Sequence, residues 1–487
     1  MITRFGPPAL FGVLFVGCTP QILPVTKCET NVECRDAMGY GSACEVETGL
    51  CRTVDMHPRC DAVYPTDASF PLDRDTNFLV ASLFGRSDAH IARYRAAELA
   101  MKHANQNQGV DGHDFAIVHC NYDEDPTIDG LDQEGAVEEV SRWLADDVGV
   151  PAIIGPAASS LSGAVYREVS EQFDTLVVSP SATATSLIDI DGSVSTDAEP
   201  GLFWRTAPPD GGQAVAIVED MRNRFDPLGE TVFRTQPTGN LAILYQEGAY
   251  GEGLAFAVGD LLASEGGEYT LFIFSTNTLG TQVAAVANSG DGPFDEVLVI
   301  SSDATDYNGF LSAAGANAAF TTLPLFFSDG GRTSDIFPAV GALGPNIRGS
   351  VPSLPEGIVF DGFDASYAVE YGQSSNLHSF VPHTYDAGSL VVYAHAWARY
   401  NEEGTSGIHL ARGFRHFSTG PDVAVAATAI SEVLANFRQG SSIDIEGASG
   451  PLDYNLTTGE VPSTIEVWTI SGVGAGQQFE KEYIFVE

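Results

Sequence analysis

The chain has 487 residues, too many for one ordinary hydrophobic core and suited to two or three domains of about 150 residues each. Its 65 acidic residues against 23 basic ones give a formal net charge of −42, which repels phosphate backbones and argues against nucleic-acid binding. We interpret this acidity as that of a solubilising exported surface, with an acidic-substrate or cation-binding role as the alternative.

The N-terminus has the pattern of a short secretory signal over residues 1–17. A single basic residue, Arg4, precedes an apolar stretch that ends LFVG (14–17), directly before Cys18. Small residues before a cysteine resemble the bacterial lipobox, in which the cysteine is acylated, although Phe15 is an unusual residue there. We expect Cys18 to be lipidated, which places the protein on the periplasmic side of the cell envelope with the lipid as its only membrane contact. The alternative is a buried or unprocessed Cys18.

Residues 18–62 are predicted to form a small tether module held together by disulfides, because they hold most of the cysteines and few large apolar side chains. A zinc site is the alternative, but the spacings lack the close Cys-x-x-Cys pairs of zinc ribbons. Fifteen connectivities are open, and one candidate is Cys28–Cys44, Cys34–Cys51 and Cys60–Cys120.

Two series of strands and helices follow. Buried strands are predicted at 78–84, 115–120, 152–154 and 175–178, and again at 241–245, 270–274, 296–300 and 323–327. Segments with helical periodicity separate them, so each series predicts a doubly wound parallel α/β sheet. Pro209 before Asp210 indicates a turn into a helix where the first series ends.

The later segments complete the two lobes. The helix-rich stretch from Gly349 is expected to rejoin the first lobe, and the tail from Ile445 the second. The predicted domains are 75–208 plus 352–445 for lobe 1 and 209–351 plus 446–487 for lobe 2. The chain then crosses three times between lobes, which predicts a three-segment hinge.

Seven short segments occur in the order typical of type 1 periplasmic binding proteins. They are IIGPAASS (153–160), VSPSAT (178–183), FWRT (203–206), LYQEGAYG (244–251), RGSVP (348–352), TYDA (384–387) and GASGPL (447–452). Over about residues 76–472 the chain resembles this family, in particular the branched-chain amino acid receptors of ABC transporters and related receptor ligand-binding regions. The resemblance implies two lobes that close on a small ligand.

A candidate anion site lies on the first lobe. Ser159 and Ser160 follow a predicted strand at the start of a helix, where free N–H groups and hydroxyls converge. Simple N-capping by either serine is the alternative. Ser181 and Thr183 follow the next strand, and a turn or cap role is the alternative for Thr183. The resemblance implies that Ser159, Ser181 and Thr183 hold a ligand carboxylate, Ser181 through its main chain.

Further candidates come from the second lobe and from two loops. Tyr250 follows a strand, where its ring can close over a ligand, and the resemblance implies that Asp329 takes the ligand ammonium. A turn residue before Gly330 is the alternative for Asp329. The loops at Phe84 and Asp303 are expected to line the cleft. Arg86 is more simply a solvated loop charge than a second carboxylate contact.

No enzyme motif is complete in the sequence. The chain lacks a phosphate loop, a His-Glu-x-x-His helix and a nucleophile elbow, and its ten histidines are scattered. We therefore predict no catalytic residue, no metal and no cofactor. The expected function is capture of an amino acid or analogue for an ABC permease or a sensor. The alternative is an envelope scaffold lipoprotein that binds a partner through its cysteine-rich module.

Overall fold

The structure is a computed structural model that describes residues 26–192, 196–222, 237–353 and 356–486. The predicted signal segment 1–17 and the predicted lipidation site Cys18 lie outside these residues. Among the helices of the described ranges, none has the length and apolar character that crossing a membrane requires.

The cysteine-rich segment folds into a small module fixed to the first lobe. Helix α1 (Asn31–Met38) packs against the hairpin of β1 (Ser42–Glu45) and β2 (Leu50–Thr53). The Asn31 amide donates to Asp146 Oδ1 at 2.7 Å, and the backbone N–H of Gly41 donates to the carbonyl of Val148 at 2.9 Å. These bonds join the module to the lobe, so it is not a free tether.

Three disulfides hold this region, which confirms the predicted framework. The bonds are Cys28–Cys44, Cys34–Cys51 and Cys60–Cys120. The first two close the module on itself, and the third joins two neighbouring strands at the edge of the first-lobe sheet. Such staples substitute for an apolar core that a segment of this size cannot build.

The first lobe is built on a six-stranded sheet of order β3-β5-β4-β6-β7-β8. Its strands are β3 (Cys60–Tyr64), β4 (Asn77–Leu83), β5 (Asp114–Cys120), β6 (Ala152–Ile154), β7 (Leu176–Ser179) and β8 (Phe203–Arg205). The helices between them are α2 (Asp88–Gln106), α3 (Gln133–Arg142), α4 (Ser159–Val165) and α5 (Glu171–Phe173), with π-helical turns at Trp143–Val148 and Tyr166–Ser170.

All pairs in this sheet are parallel except β3 with β5. The four predicted strands lie within one residue of the observed ones, because a strand covered on both faces is a continuous apolar run. Strand β3 was not predicted, and the expected module boundary at residue 62 falls inside it.

The second lobe starts with a parallel series. Its strands are β9 (Asn240–Gln246), β10 (Glu268–Phe274), β11 (Glu296–Ile300), β12 (Leu325–Phe327) and β13 (Ile347–Pro352). Its helices are α6 (Asp210–Met221), α7 (Ala249–Ser264), α8 (Leu279–Ala287), α9 (Ala304–Gly315) and α10 (Phe337–Val340). The predicted strands of this series lie within two residues of the observed ones.

The chain then returns to the core of the first lobe. The returning elements are α11 (Ile358–Tyr371), α12 (Val381–Asn401), α13 (Gly407–Phe414), β14 (Asp422–Ala424), α14 (Ile430–Phe437), β15 (Asp444–Gly447) and β16 (Gly450–Pro451). Helix α12 packs against α2 at close range. A Cβ at Gly388 would lie 2.8 Å from that of Ala100, so the contact requires glycine.

The last two strands, β17 (Thr464–Ser471) and β18 (Gln478–Val486), are antiparallel and complete the second sheet in the order β10-β9-β11-β12-β13-β17-β18. The chain thus passes between the lobes after β8, after β13 and after β16. At the first passage, buried Arg205 donates to the carbonyls of Ala182 and Ala184 at 3.0 Å and forms an ion pair with Glu460 of the third passage. The predicted fold of two parallel-sheet lobes after a disulfide-rich module is confirmed.

Candidate functional site

A cavity of about 300 Å³ lies between the lobes, where strands of both sheets end. Loops after β4, β5, β6 and β7 line it from the first lobe, and loops after β9, β11 and β12 line it from the second. The carboxyl ends of parallel strands are where open α/β sheets bind ligands. The cavity therefore has the position expected of a ligand site.

Three of the eight predicted ligand-binding residues line this cavity. Ser181 faces it from the first lobe and donates its hydroxyl to the Ala157 carbonyl at 3.1 Å. Asp303 is the N-cap of α9, where Oδ1 accepts from the Thr305 N–H at 2.8 Å. Asp329 is only 5% exposed and lies in the short turn after β12.

Two further predicted residues, Tyr250 and Thr183, are buried and are not among the lining residues of the cavity. The Tyr250 hydroxyl contacts the Asp329 carboxylate and lies 2.8 Å from Ser328 Oγ. Thr183 is buried, and its carbonyl accepts from the Asp210 N–H at 2.8 Å. Tyr250 thus contacts Asp329 from behind the cavity wall, and Thr183 contacts the start of α6.

The other three predicted residues are not on the cavity surface. Phe84 is buried in the core of the first lobe. The Ser159 hydroxyl accepts from the Ala184 N–H at 3.2 Å, and Ser160 is exposed. The N-cap of α4 is Ala158, which has no side chain to cap the helix. Ser159 and Ser160 are therefore not N-caps, and the first-turn N–H groups of α4 have no side-chain cap beside the cavity.

Arg93 is the main residue that the sequence reasoning missed. It lies on α2, is 7% exposed and lines the cavity. Its guanidinium donates to the carbonyl and hydroxyl of Ser379, both at 3.2 Å, and lies over the Phe380 ring. Within the described residues no carboxylate lies within 4 Å of it. Burial lowers the pKa of Arg93 to about 10, so it still carries its charge at neutral pH.

The predicted loop arginine, Arg86, has a different role. Its guanidinium is 41% exposed and pairs with Asp61 at 2.9 Å and Asp125 at 3.7 Å. Its backbone N–H donates to Asp123 Oδ2 at 2.6 Å. Arg86 therefore holds the loop after β4 and leaves Arg93 as the buried cation of the cavity.

The comparisons with known proteins agree with this architecture. No family model matches the chain. The chemotactic signal transduction system substrate-binding protein BasB of Halobacterium salinarum is 24% identical over 391 residues, which cover 78% of this chain and 80% of BasB.

Solved structures match over most of both chains. The branched-chain amino acid transporter substrate-binding protein LivJ of Streptococcus pneumoniae, in complex with isoleucine, matches with a TM-score of 0.59 and 16% identity over 83% of this chain and 100% of LivJ. The leucine-binding protein LivK of Thermotoga maritima matches with a TM-score of 0.63 and 15% identity over 84% and 99%. The chain has the periplasmic binding protein type 1 fold.

A third structure with this fold is an ABC-transporter solute-binding protein of R. palustris in complex with 4-hydroxybenzoate. Its TM-score is 0.62 and its identity 14%, over 84% of this chain and 97% of that protein. The named ligands of these structures, isoleucine and 4-hydroxybenzoate, both carry a carboxylate. They differ in whether an ammonium is present.

The hinge side of the periplasmic binding protein fold holds a buried acidic pair here. Gln213 on α6 donates to Asp329 Oδ1 at 3.3 Å and to Ser350 Oγ at 3.0 Å. Asp210, at the start of the same helix, is 1% exposed, and its carboxyl group lies beside the Thr183 side chain. Burial, followed by the charge of Asp329, raises the pKa of Asp210 to about 8. Burial also raises the pKa of Asp329.

The first lobe also contains a serine, a histidine and an acid in the order of a catalytic triad. Ser82 Oγ lies 2.6 Å from His119 Nδ1, and His119 Nε2 lies 3.2 Å from Glu98 Oε2. Ser82 is completely buried in β4 and does not line the cavity. A nucleophile needs access to its substrate, so this trio is a structural network in the sheet.

Proposed function

We propose that this protein is an extracytoplasmic solute receptor that captures a small amino-acid-like ligand between its lobes by hinge closure and performs no chemistry on it. Buried Arg93 carries the proposal, because its guanidinium faces the cavity and no carboxylate of the described residues lies within 4 Å of it. A buried charge needs an opposite charge, and a ligand carboxylate supplies one.

The second lobe supplies the complementary charge. Asp329 lines the same cavity, and the contacts of its side chain with Tyr250 and Gln213 both use Oδ1. An ammonium paired with this carboxylate forms a charge-assisted hydrogen bond. A zwitterion would therefore bridge the lobes, with its carboxylate towards Arg93 and its ammonium towards Asp329.

The cellular setting supports the same function. The three disulfides fit an oxidising compartment outside the cytoplasm. The sequence before residue 26 supports export and lipidation at Cys18. The LivJ structure and BasB support delivery to an ABC permease or signalling of the ligand's presence, respectively.

A thermal-shift screen tests the proposal. Amino acids, amides, small carboxylates and aromatic acids are added at millimolar concentration to the ligand-free protein, and hits are measured by calorimetry. A ligand present at 100 times its Kd stabilises the folded state by about 2.7 kcal/mol, which raises the melting temperature measurably. Absence of any shift across the carboxylate-bearing compounds would overturn the receptor proposal.

A further inference from the structure

The charges that line the cavity are unbalanced. Its first-lobe wall holds Arg93 and Asp123, and its second-lobe wall holds Asp303 and Asp329. His90 also lines the cavity, but burial, followed by the charge of Arg93, lowers its pKa to about 3, so it is neutral at pH 7. Three carboxylates therefore face one guanidinium among the described lining residues. If a zwitterion pairs with Arg93 and Asp329, the carboxylates of Asp123 and Asp303 have no positively charged partner in the cavity.

Asp123 has no cationic side chain of its own in the described residues. The two arginines that form hydrogen bonds with Asp123 have their ion pairs elsewhere: Arg86 with Asp61 and Asp125, and Arg59 with Asp129. Arg59 reaches Asp123 only at its backbone carbonyl, and Arg86 reaches the carboxylate only through a backbone N–H. The Asp123 carboxylate thus receives no compensating side-chain charge.

Asp303 is in the same situation on the second lobe. Its carboxylate accepts from the Thr305 N–H as an N-cap, and no basic side chain of the described ranges lies within 4 Å of it. The neighbouring lining residues Gln246 and Ser302 are bonded to each other, with the Gln246 Oε1 as acceptor. This part of the wall therefore carries no positive charge among the described lining residues.

The strand order separates these two carboxylates from the amino-acid end of the cavity. Asp123 follows β5, whereas Arg93 lies on α2, which follows β4, and β4 and β5 are neighbours in the sheet. Neighbouring strands lie about 4.8 Å apart, so the ends of β4 and β5 are separated by about 5 Å. On the second lobe, Asp303 follows β11 and Asp329 follows β12, the next strand in the sheet. Asp123 and Asp303, the two outer acids, thus each follow the strand next to the one that precedes Arg93 or Asp329 in the same lobe.

We propose that the ligand carries a second cationic group at the end of a long side chain, as a cationic α-amino acid does, and that Asp123 and Asp303 bind it. This inference rests on the proposed receptor function. The head group of the ligand lies between Arg93 and Asp329, and the distal cation lies between the two outer acids, one from each lobe. The lining carries a net charge of −2, three aspartates against one arginine, so a ligand of this class, with a net charge of +1, neutralises half of it.

Calorimetry on the full exported chain tests the inference with matched probes. L-arginine is compared with L-citrulline, which has nearly the same shape and no side-chain charge, and with L-leucine and 4-hydroxybenzoate. L-arginine should bind at least about tenfold more tightly than L-citrulline, the effect of one charge-assisted hydrogen bond. Asp123→Asn and Asp303→Asn should each reduce this ratio, while Glu124→Gln, an exposed acid outside the cavity lining, should leave it unchanged.

The outcomes separate the two proposals. If L-citrulline, L-leucine or 4-hydroxybenzoate binds as tightly as L-arginine, the cationic-ligand inference is wrong and the receptor function stands. The inference is also wrong if both asparagine variants keep the wild-type ratio of affinities for L-arginine and L-citrulline. In that case Asp123 and Asp303 do not bind the side-chain charge of the ligand. If none of the four probes nor any carboxylate in the screen binds, both proposals are wrong.

Discussion

Replacing Arg93 by methionine tests the central electrostatic feature of the cleft. The guanidinium is 7% exposed, lines the cavity and has no carboxylate partner within the described residues. Methionine keeps an unbranched apolar stem of similar reach and removes the charge. In the proposed receptor, the ligand carboxylate then loses its charged hydrogen-bond donor, while the helix around it is unchanged.

The expected loss of affinity follows from that one interaction. Hydrogen bonds to charged groups contribute about 1.5–3 kcal/mol, and 1.4 kcal/mol corresponds to a factor of ten, so Kd should rise by about 10- to 100-fold. The ligand-free protein should not be destabilised comparably. The two hydrogen bonds to Ser379 are lost, but so is the cost of burying an unpaired charge.

Calorimetric affinity and the melting temperature of the ligand-free protein are measured together. Arg86→Met is the matched control, because this arginine lies seven residues earlier and pairs with Asp61 and Asp125 outside the cavity lining. A fall in melting temperature of Arg93→Met with an unchanged Kd would show that the guanidinium is structural. An equal loss of affinity in both variants would show that the effect is a general loss of positive charge.

Two further predictions concern stability. The double substitution Cys60→Ala and Cys120→Ala removes a cross-link between residues 60 positions apart. The free energy of unfolding, measured by urea titration, should fall by about 4 kcal/mol. A fall of less than about 1 kcal/mol would contradict this prediction. The raised pKa of Asp210, about 8, means that the folded chain holds a proton that the unfolded chain releases, so stability should fall as pH rises from about 4 to about 8. Asp210→Asn should make this decline of melting temperature shallower, and parallel profiles from pH 5 to 8 would contradict the assignment.

The parallel strands could be predicted from the sequence because burial on both faces leaves a continuous apolar run. Strands such as Ala152–Ile154 and Glu296–Ile300 match their predicted bounds. Strand Cys60–Tyr64 was missed because it lies at the sheet edge, where its burial alternates weakly and its pairing depends on contacts distant in sequence.

The site was less predictable than the fold, because strand ends place loops in the cleft without fixing which side chains face it. Ser181, Asp303 and Asp329 follow strands and line the cavity, whereas Ser159 turns its hydroxyl towards the Ala184 N–H. The position of Arg93 in the sequence could have indicated that it is buried. It shares one face of α2 with Ala96, Ala97 and Ala100 at helical spacing, so a lone arginine lies in an otherwise apolar stripe.

The same electrostatics connects ligand capture to lobe closure. A ligand can shift a conformational equilibrium only by as much as its affinity differs between the two states. Arg93 belongs to the first lobe and Asp329 to the second, so a zwitterion that pairs with both charges bridges the two lobes. Each charged hydrogen bond gained on closure, about 1.5–3 kcal/mol, is a differential affinity for the closed form. In the proposed receptor, opposite charges on opposite lobes therefore make closure depend on the ligand, which is the signal that a permease or a sensor would detect.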